Sequence, residues 1–243
     1  MSSAFSSGFG MGFQRGSTGS TGFNTGMYKP PSVDTGPTLV LNYDISDLAS
    51  YPGTGATVFD LVGNSNGTIV GDPLPSYLGG NRLEIAGYLG QYLVTSTSLA
   101  SKVTTDLTTI SYWTYTLNAP GIFLSELGQV TPNTGWHNTV IERGGFGNFF
   151  VKYGMWNGSG ISTISDPSTI GSDVWINIVL TYDGTKLTAY RNGVSQGTNT
   201  FSRSNPVENG NGLFYSIAAP DSTNMGFNSN GGAVQFGALR IYN

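Results

Sequence analysis

Cysteine is absent from the 243 residues, so a disulfide framework, a zinc knuckle and a thiol nucleophile are all excluded, and packing must hold the fold. Charge is scarce. Only 10 Lys+Arg and 14 Asp+Glu occur, 10% of the chain against roughly 25% in an ordinary domain, which excludes a charge-laced helical bundle. The basic residues stand singly and the net charge is −4, so no phosphate-tracking surface is expected and nucleic acid is not a predicted partner. No run of about 18 apolar residues is present, so no membrane span is predicted. The N-terminus has neither a basic n-region nor an apolar h-region, so no secretory signal is read there.

What is abundant is turn and strand chemistry: 36 glycines, 11 prolines and many Ser, Thr and Asn residues. Composition divides the chain near residue 36. Residues 1–36 are a low-complexity Gly/Ser/Thr arm with isolated Phe5, Phe9, Met11, Phe13, Phe23, Met27 and Tyr28. Such a segment cannot bury enough apolar surface by itself to offset its ordering entropy. Spread over neighbouring subunits it can, and an extended assembly arm is the expectation.

Residues 37–243 read as short strands between turns. Strands are expected at 37–43, 82–85, 88–94, 108–117, 121–127, 138–143, 149–156, 174–182, 186–191, 194–198 and 233–242, the last with a bulge at Gly237. In 174–182, Ile176, Ile178, Leu180 and Tyr182 share one face, and Trp175, Asn177, Val179 and Thr181 the other. Asp183-Gly184 and Asn192-Gly193 then mark two hairpin turns. Gly193→Val is expected to destabilise clearly, and Gly197→Val, nearer a strand end, to do less. No segment shows helical periodicity, so the fold class is all-β, a sandwich.

Three stretches, in order, resemble the laminin G-like branch of the concanavalin A-like lectin/glucanase superfamily. They are Ser50-Tyr51-Pro52-Gly53-Thr54-Gly55 with Asp60-Leu61 and Gly63 to Thr68; Trp175 through Tyr182-Asp183-Gly184-Thr185, Tyr190 and Asn192-Gly193; and Gly237 to Asn243. The resemblance implies a concanavalin A-like jelly-roll β-sandwich whose first and last strands lie together. It also implies a range of functions: glycan binding, adhesion, virus and phage surface roles, and some glycosidases.

The superfamily's glycosidases carry a Glu-x-Asp-x-x-Glu strand, which is missing here: Glu84, Glu126, Glu142 and Glu208 have no second carboxylate at i±2. The chain is therefore not expected to be an enzyme, and no catalytic residue is assigned. His137 has no nucleophile motif beside it and is read as a loop or strand-edge residue. No cofactor is expected, although the resemblance allows calcium, for which Asp60, Asn64 and Asn66 are the candidate ligands; the alternative is that they bond their own turn. Trp113 and Trp175 lie in strands and are read as core packing. Trp136 and Trp156, each beside a turn, are the glycan-binding candidates. Asn66-Gly67-Thr68 and Asn157-Gly158-Ser159 match glycosylation sequons but are read as turns.

These features converge on a virion surface component, minor capsid, decoration or fibre, assembled in the host cytoplasm. Its lectin-like domain would be anchored to other capsid subunits through residues 1–36. The alternative is an extracellular carbohydrate-binding adhesion module.

Overall fold

Alternation of apolar and polar residues is the rule that builds this molecule. In β7 (Thr108–Tyr115), Ile110 and Tyr112 are fully buried while Trp113 between Tyr112 and Thr114 is exposed. β12 (Trp175–Tyr182) alternates without a break: Ile176, Ile178, Leu180 and Tyr182 point inward, as the sequence predicts. The structure, a computed structural model, describes residues 37–79, 81–103, 107–117, 120–130, 136–144, 150–156, 161–166, 168–203, 212–218 and 233–243. The arm of residues 1–36 lies outside the described residues.

Two antiparallel sheets form the sandwich. Numbering strands in chain order, one sheet runs β14 (Val194–Thr200), β13 (Lys186–Arg191), β12, β7, β16 (Ala233–Tyr242), β5 (Leu83–Ala86), β4 (Ser76–Tyr77). β1 (Leu39–Asp44) lies beside β5, on the edge of β16 opposite β7. The second sheet runs β11 (Ile161–Asp166), β10 (Phe150–Trp156), β9 (His137–Gly144), β8 (Gly121–Leu127), β15 (Phe214–Ile217), β6 (Tyr92–Thr95), β3 (Gly67–Val70), β2 (Thr57–Val58). Among the described residues, Gly87–Leu89 form a single 3₁₀ turn.

Facing side chains of the two sheets make one core. Tyr112 stacks on Phe123 of β8 at 6.2 Å and meets Phe236 of β16 at 5.7 Å between ring centroids. The first and last strands pair, as the resemblance implies, and Thr38 and Asn243 exchange N–H···O bonds of 2.7 and 2.9 Å. At one side of the sandwich Arg191 of β13 bridges to the buried carboxylate of Asp166 at the end of β11, at 3.0 Å.

Gly237 is the bulge foreseen in the sequence: register slips between Phe236 and Ala238. The extra residue resets the alternation, so Phe236, Leu239 and Ile241 all enter the core while Ala238 and Arg240 share the outer face. The two hairpins differ in kind. Asn192 and Gly193 have φ of 50° and 79°, the signature of a two-residue type I′ turn between Arg191 and Val194. At Asp183-Gly184 only the glycine has positive φ, and the Asp183 carboxylate instead caps the N–H groups of Thr185 and Lys186.

Candidate functional site

The outer face of the sheet that contains the terminal strands is laid out in rows by register. One row carries Asp44, Ala238, Trp113 and Asn177; the next carries Asn42, Arg240, Ser111 and Val179. Small residues between large ones leave a trough. It measures about 370 Å³ and is lined by Asp44, Ser46, Asn81, Trp113, Trp175, Gly237, Ala238 and Arg240. That volume sits at the small end of the ~300–1,000 Å³ usual for small-molecule clefts.

Its apolar wall is aromatic. Trp113 is 39% exposed, and Trp175 packs edge-on against Tyr115 at 5.7 Å. The Trp175 ring reaches over the bulge, so close to Gly237 that a Cβ there would lie 2.6 Å from the ring. Glycine is required at 237 by this approach, not by its dihedral angles. Behind the wall the Arg82 guanidinium lies 4.2 Å from the Tyr115 ring centroid.

The polar wall is an oriented ion pair. Arg240 Nη2 donates to Asp44 Oδ2 at 2.7 Å, and both side chains keep some exposure, 31% and 21%. The other carboxylate oxygen, Oδ1, accepts from Ser46 N at 3.0 Å and Ser46 Oγ at 2.6 Å. Asp44 is thus fixed on both sides while staying open to the trough.

The residues singled out from sequence fall elsewhere. Trp136 is half-buried against the core, and its carbonyl accepts the Gly128 N–H at 2.7 Å. Trp156 ends β10, with its side chain outside the described residues, as is that of His137. Trp113 and Trp175, read from sequence as core, are instead on the outer face; alternation with Tyr112 and Ile176 is the signal that places them there. Asp44, Asn81 and Arg240 carried no signal, because only the pairing of β1 and of β5 with β16 brings their segments together.

Asp60, Asn64 and Asn66 do meet, around their own backbone. Asp60 Oδ1 accepts from the N–H groups of Asn42 (2.9 Å) and Val62 (3.1 Å), and Oδ2 from those of Asn64 (2.8 Å) and Ser65 (3.0 Å). Asn66 Oδ1 accepts from Asp60 N at 3.0 Å, and Asn64 Nδ2 donates to Val40 O at 2.7 Å. Four amides fill the four lone-pair positions of the carboxylate, so the set does not fit a calcium ion; it caps a turn. Nearby, burial first and the Asp60 charge second hold the Tyr43 phenol far above its ordinary pKa. Of the four glutamates, Glu126 is fully buried in a 2.7 Å pair with Arg203, Glu84 accepts from Gln235 at 2.6 Å, Glu142 stands opposite Lys152, and Glu208 lies outside the described residues.

A laminin G-type family model matches residues 87–243, from the 3₁₀ turn to the closing strand. The chain belongs to the concanavalin A-like lectin/glucanase superfamily. The superfamily's fold is seen in solved structures of low identity. Domain 4 of an extracellular GH43 arabinanase from Geobacillus stearothermophilus, in complex with arabinotriose, is 18% identical with a TM-score of 0.53, covering 85% of this chain and 93% of that one. A mutant Trypanosoma rangeli sialidase displaying trans-sialidase activity is 13% identical with a TM-score of 0.57, over 84% of this chain and 30% of that one. A botulinum neurotoxin type C structure, whose cell entry depends on two ganglioside molecules, is 14% identical with a TM-score of 0.54, over 84% and 48%. At such identities the likeness establishes the fold alone. No characterised protein sequence matches the chain significantly.

Proposed function

We propose that this superfamily member is a carbohydrate-binding module whose site is the trough over β1, β7, β12 and β16. One observation carries the reading: an exposed Trp113 ring faces an oriented Asp44–Arg240 pair across a floor of Gly237 and Ala238. A sugar presents an apolar C–H face and a rim of hydroxyls, and this trough offers an aromatic surface and charge-assisted donors and acceptors to match. The arabinotriose in complex with the arabinanase domain supports the reading, and the toxin, of which 48% is matched, is also described with gangliosides. Two carboxylates support binding rather than catalysis: Glu126 is sealed in an ion pair and Asp44 is held by three donors. Trp136 takes no part in the proposed site.

The test is a glycan array probed with the full chain and with Trp113→Ala. The ring stands on the outer face but is partly covered, so the variant should still fold with a lowered melting temperature and lose its hits. Retention of every hit by Trp113→Ala would place the site elsewhere.

The setting we propose is a virion surface, with residues 1–36 anchoring the module to other capsid subunits. What supports it is the arm's sequence, nearly uncharged and studded with Phe, Met and Tyr. Deleting residues 1–36 should abolish incorporation into particles and leave glycan binding intact; full incorporation of the truncated chain would refute the setting.

A further inference from the structure

We infer that the trough is specific for a neutral sugar bearing two adjacent hydroxyls, and that Arg240 and Asp44 read that hydroxyl pair together. The inference rests on the glycan-binding reading above and concerns what kind of glycan fits.

Charge is the first argument. The Arg240–Asp44 contact of 2.7 Å pairs the two charges that line the trough among the described residues. An acidic sugar approaching Arg240 would bring its carboxylate against Asp44, which cannot swing away because Ser46 N and Oγ hold its other oxygen. Outside the lining, Arg82 lies over the Tyr115 ring and Glu84 accepts from Gln235. Among the described residues that line the trough, Arg240 is the one cation, and its pairing with Asp44 leaves it little pull on an anion.

Geometry is the second argument. A hydroxyl is at once donor and acceptor, whereas carboxylate only accepts and guanidinium only donates. Neighbouring hydroxyls on a sugar ring are spaced about as far apart as hydrogen-bonded heavy atoms, ~2.8 Å. One therefore donates to Asp44 Oδ2 while the next accepts from an Arg240 N–H, each keeping its geometry and neither breaking the pair. Beside them Ala238 and Gly237 present no polar side chain, and the Trp113 ring takes the C–H face.

The experiment titrates the full chain with neutral oligosaccharides, their singly deoxygenated analogues, and sialylated or uronic-acid oligosaccharides. Each titration is made at low salt and at about 0.5 M salt, where charge-driven binding is screened. A neutral ligand should bind, with affinity changing less than about twofold between the two salts. Removing either hydroxyl of one adjacent pair should weaken it about tenfold or more, as loss of a charge-assisted hydrogen bond does. Arg240→Lys, which keeps the charge but loses the planar fork, should weaken it similarly. A preference for acidic glycans that fades with salt, and is lost in Trp113→Ala, would overturn this inference and leave the glycan site standing. Absence of any glycan whose binding depends on Trp113 would instead overturn the reading on which it rests.

Discussion

Gly237 shows how one missing carbon shapes both the fold and the trough. Its bulge turns Arg240 outward, and its lack of a Cβ admits the Trp175 ring. In Gly237→Ala the new methyl must displace that ring, 2.6 Å away, and it also crowds the Trp113 carbonyl at 3.3 Å. A cost of about 1–3 kcal/mol is expected for such overpacking, with a shift in tryptophan emission as Trp175 is pushed from Tyr115. Unchanged emission and melting would mean the ring does not lie over the bulge. Asp60 is a second decisive residue. Asp60→Ala strips acceptors from four backbone N–H groups at once, and a loss of about 3 kcal/mol is expected from charge-assisted bonds of this kind. Because those amides fill the carboxylate, dialysis against EDTA should leave the melting temperature of the native chain unchanged; a fall of several degrees on chelation would show a structural cation instead.

At the scale of elements, the β12–β13–β14 meander carries two predictions. Gly193 has φ of 79° with open space around it, so Gly193→Val acts through backbone strain, about 1–3 kcal/mol. The sequence ranks Gly197→Val as milder, but the structure reverses that order: Gly197 has φ of 142°, and an added Cβ lies 3.1 Å from Ile164 Cγ2 of β11. Gly197→Val should therefore destabilise at least as much in thermal unfolding, since it adds a steric contact between the sheets to the strain. In the first hairpin, the Asp183 carboxyl is held below its ordinary pKa, first by the Thr185 N–H, then by the Thr185 hydroxyl and the Lys186 N–H. A depressed folded value means its contribution is complete above the unfolded pKa of about 3.9 and is lost as pH falls through the folded value. NMR titration should find Asp183 below an unperturbed aspartate; an ordinary value would show that the cap does not form. The same elements show what sequence can convey. β12, β13 and β16 are legible because alternation, turn residues and a bulge glycine agree. β2 and β4 are two residues each, too short to carry a period, and β11 is Ile-Ser-Thr-Ile-Ser-Asp, an edge strand with little apolar signal. The trough is illegible for another reason: its residues come from strands up to 196 positions apart, and only pairing brings Asp44 to Arg240.

For the whole molecule, pairing of the first described strand with the last is the feature from which we propose that the body folds without the arm. β1 pairs along Leu39–Asp44 with β16, and the Thr38–Asn243 bonds fasten the two ends of the described sandwich. Among the described residues, the β1 backbone bonds to β16 on one edge, and on the other the Leu61 N–H reaches the Asn42 carbonyl at 3.0 Å. Leu41, Tyr43 and Ile45 then bury completely or nearly so in the common core. A chain of residues 37–243 keeps every described strand, and about 200 residues suffice for a core without covalent staples. It should give a β-type circular dichroism spectrum and one cooperative melt, and should bind the same glycans as the full chain. Starting the chain at residue 46 instead removes β1, leaves one edge of β16 open over Ala238–Tyr242 and takes Asp44 from the trough. That shorter chain should aggregate or melt far earlier. If the two truncations were equally stable, β1 would be an ornament of the sheet, and the pairing that builds the trough would not be formed in solution.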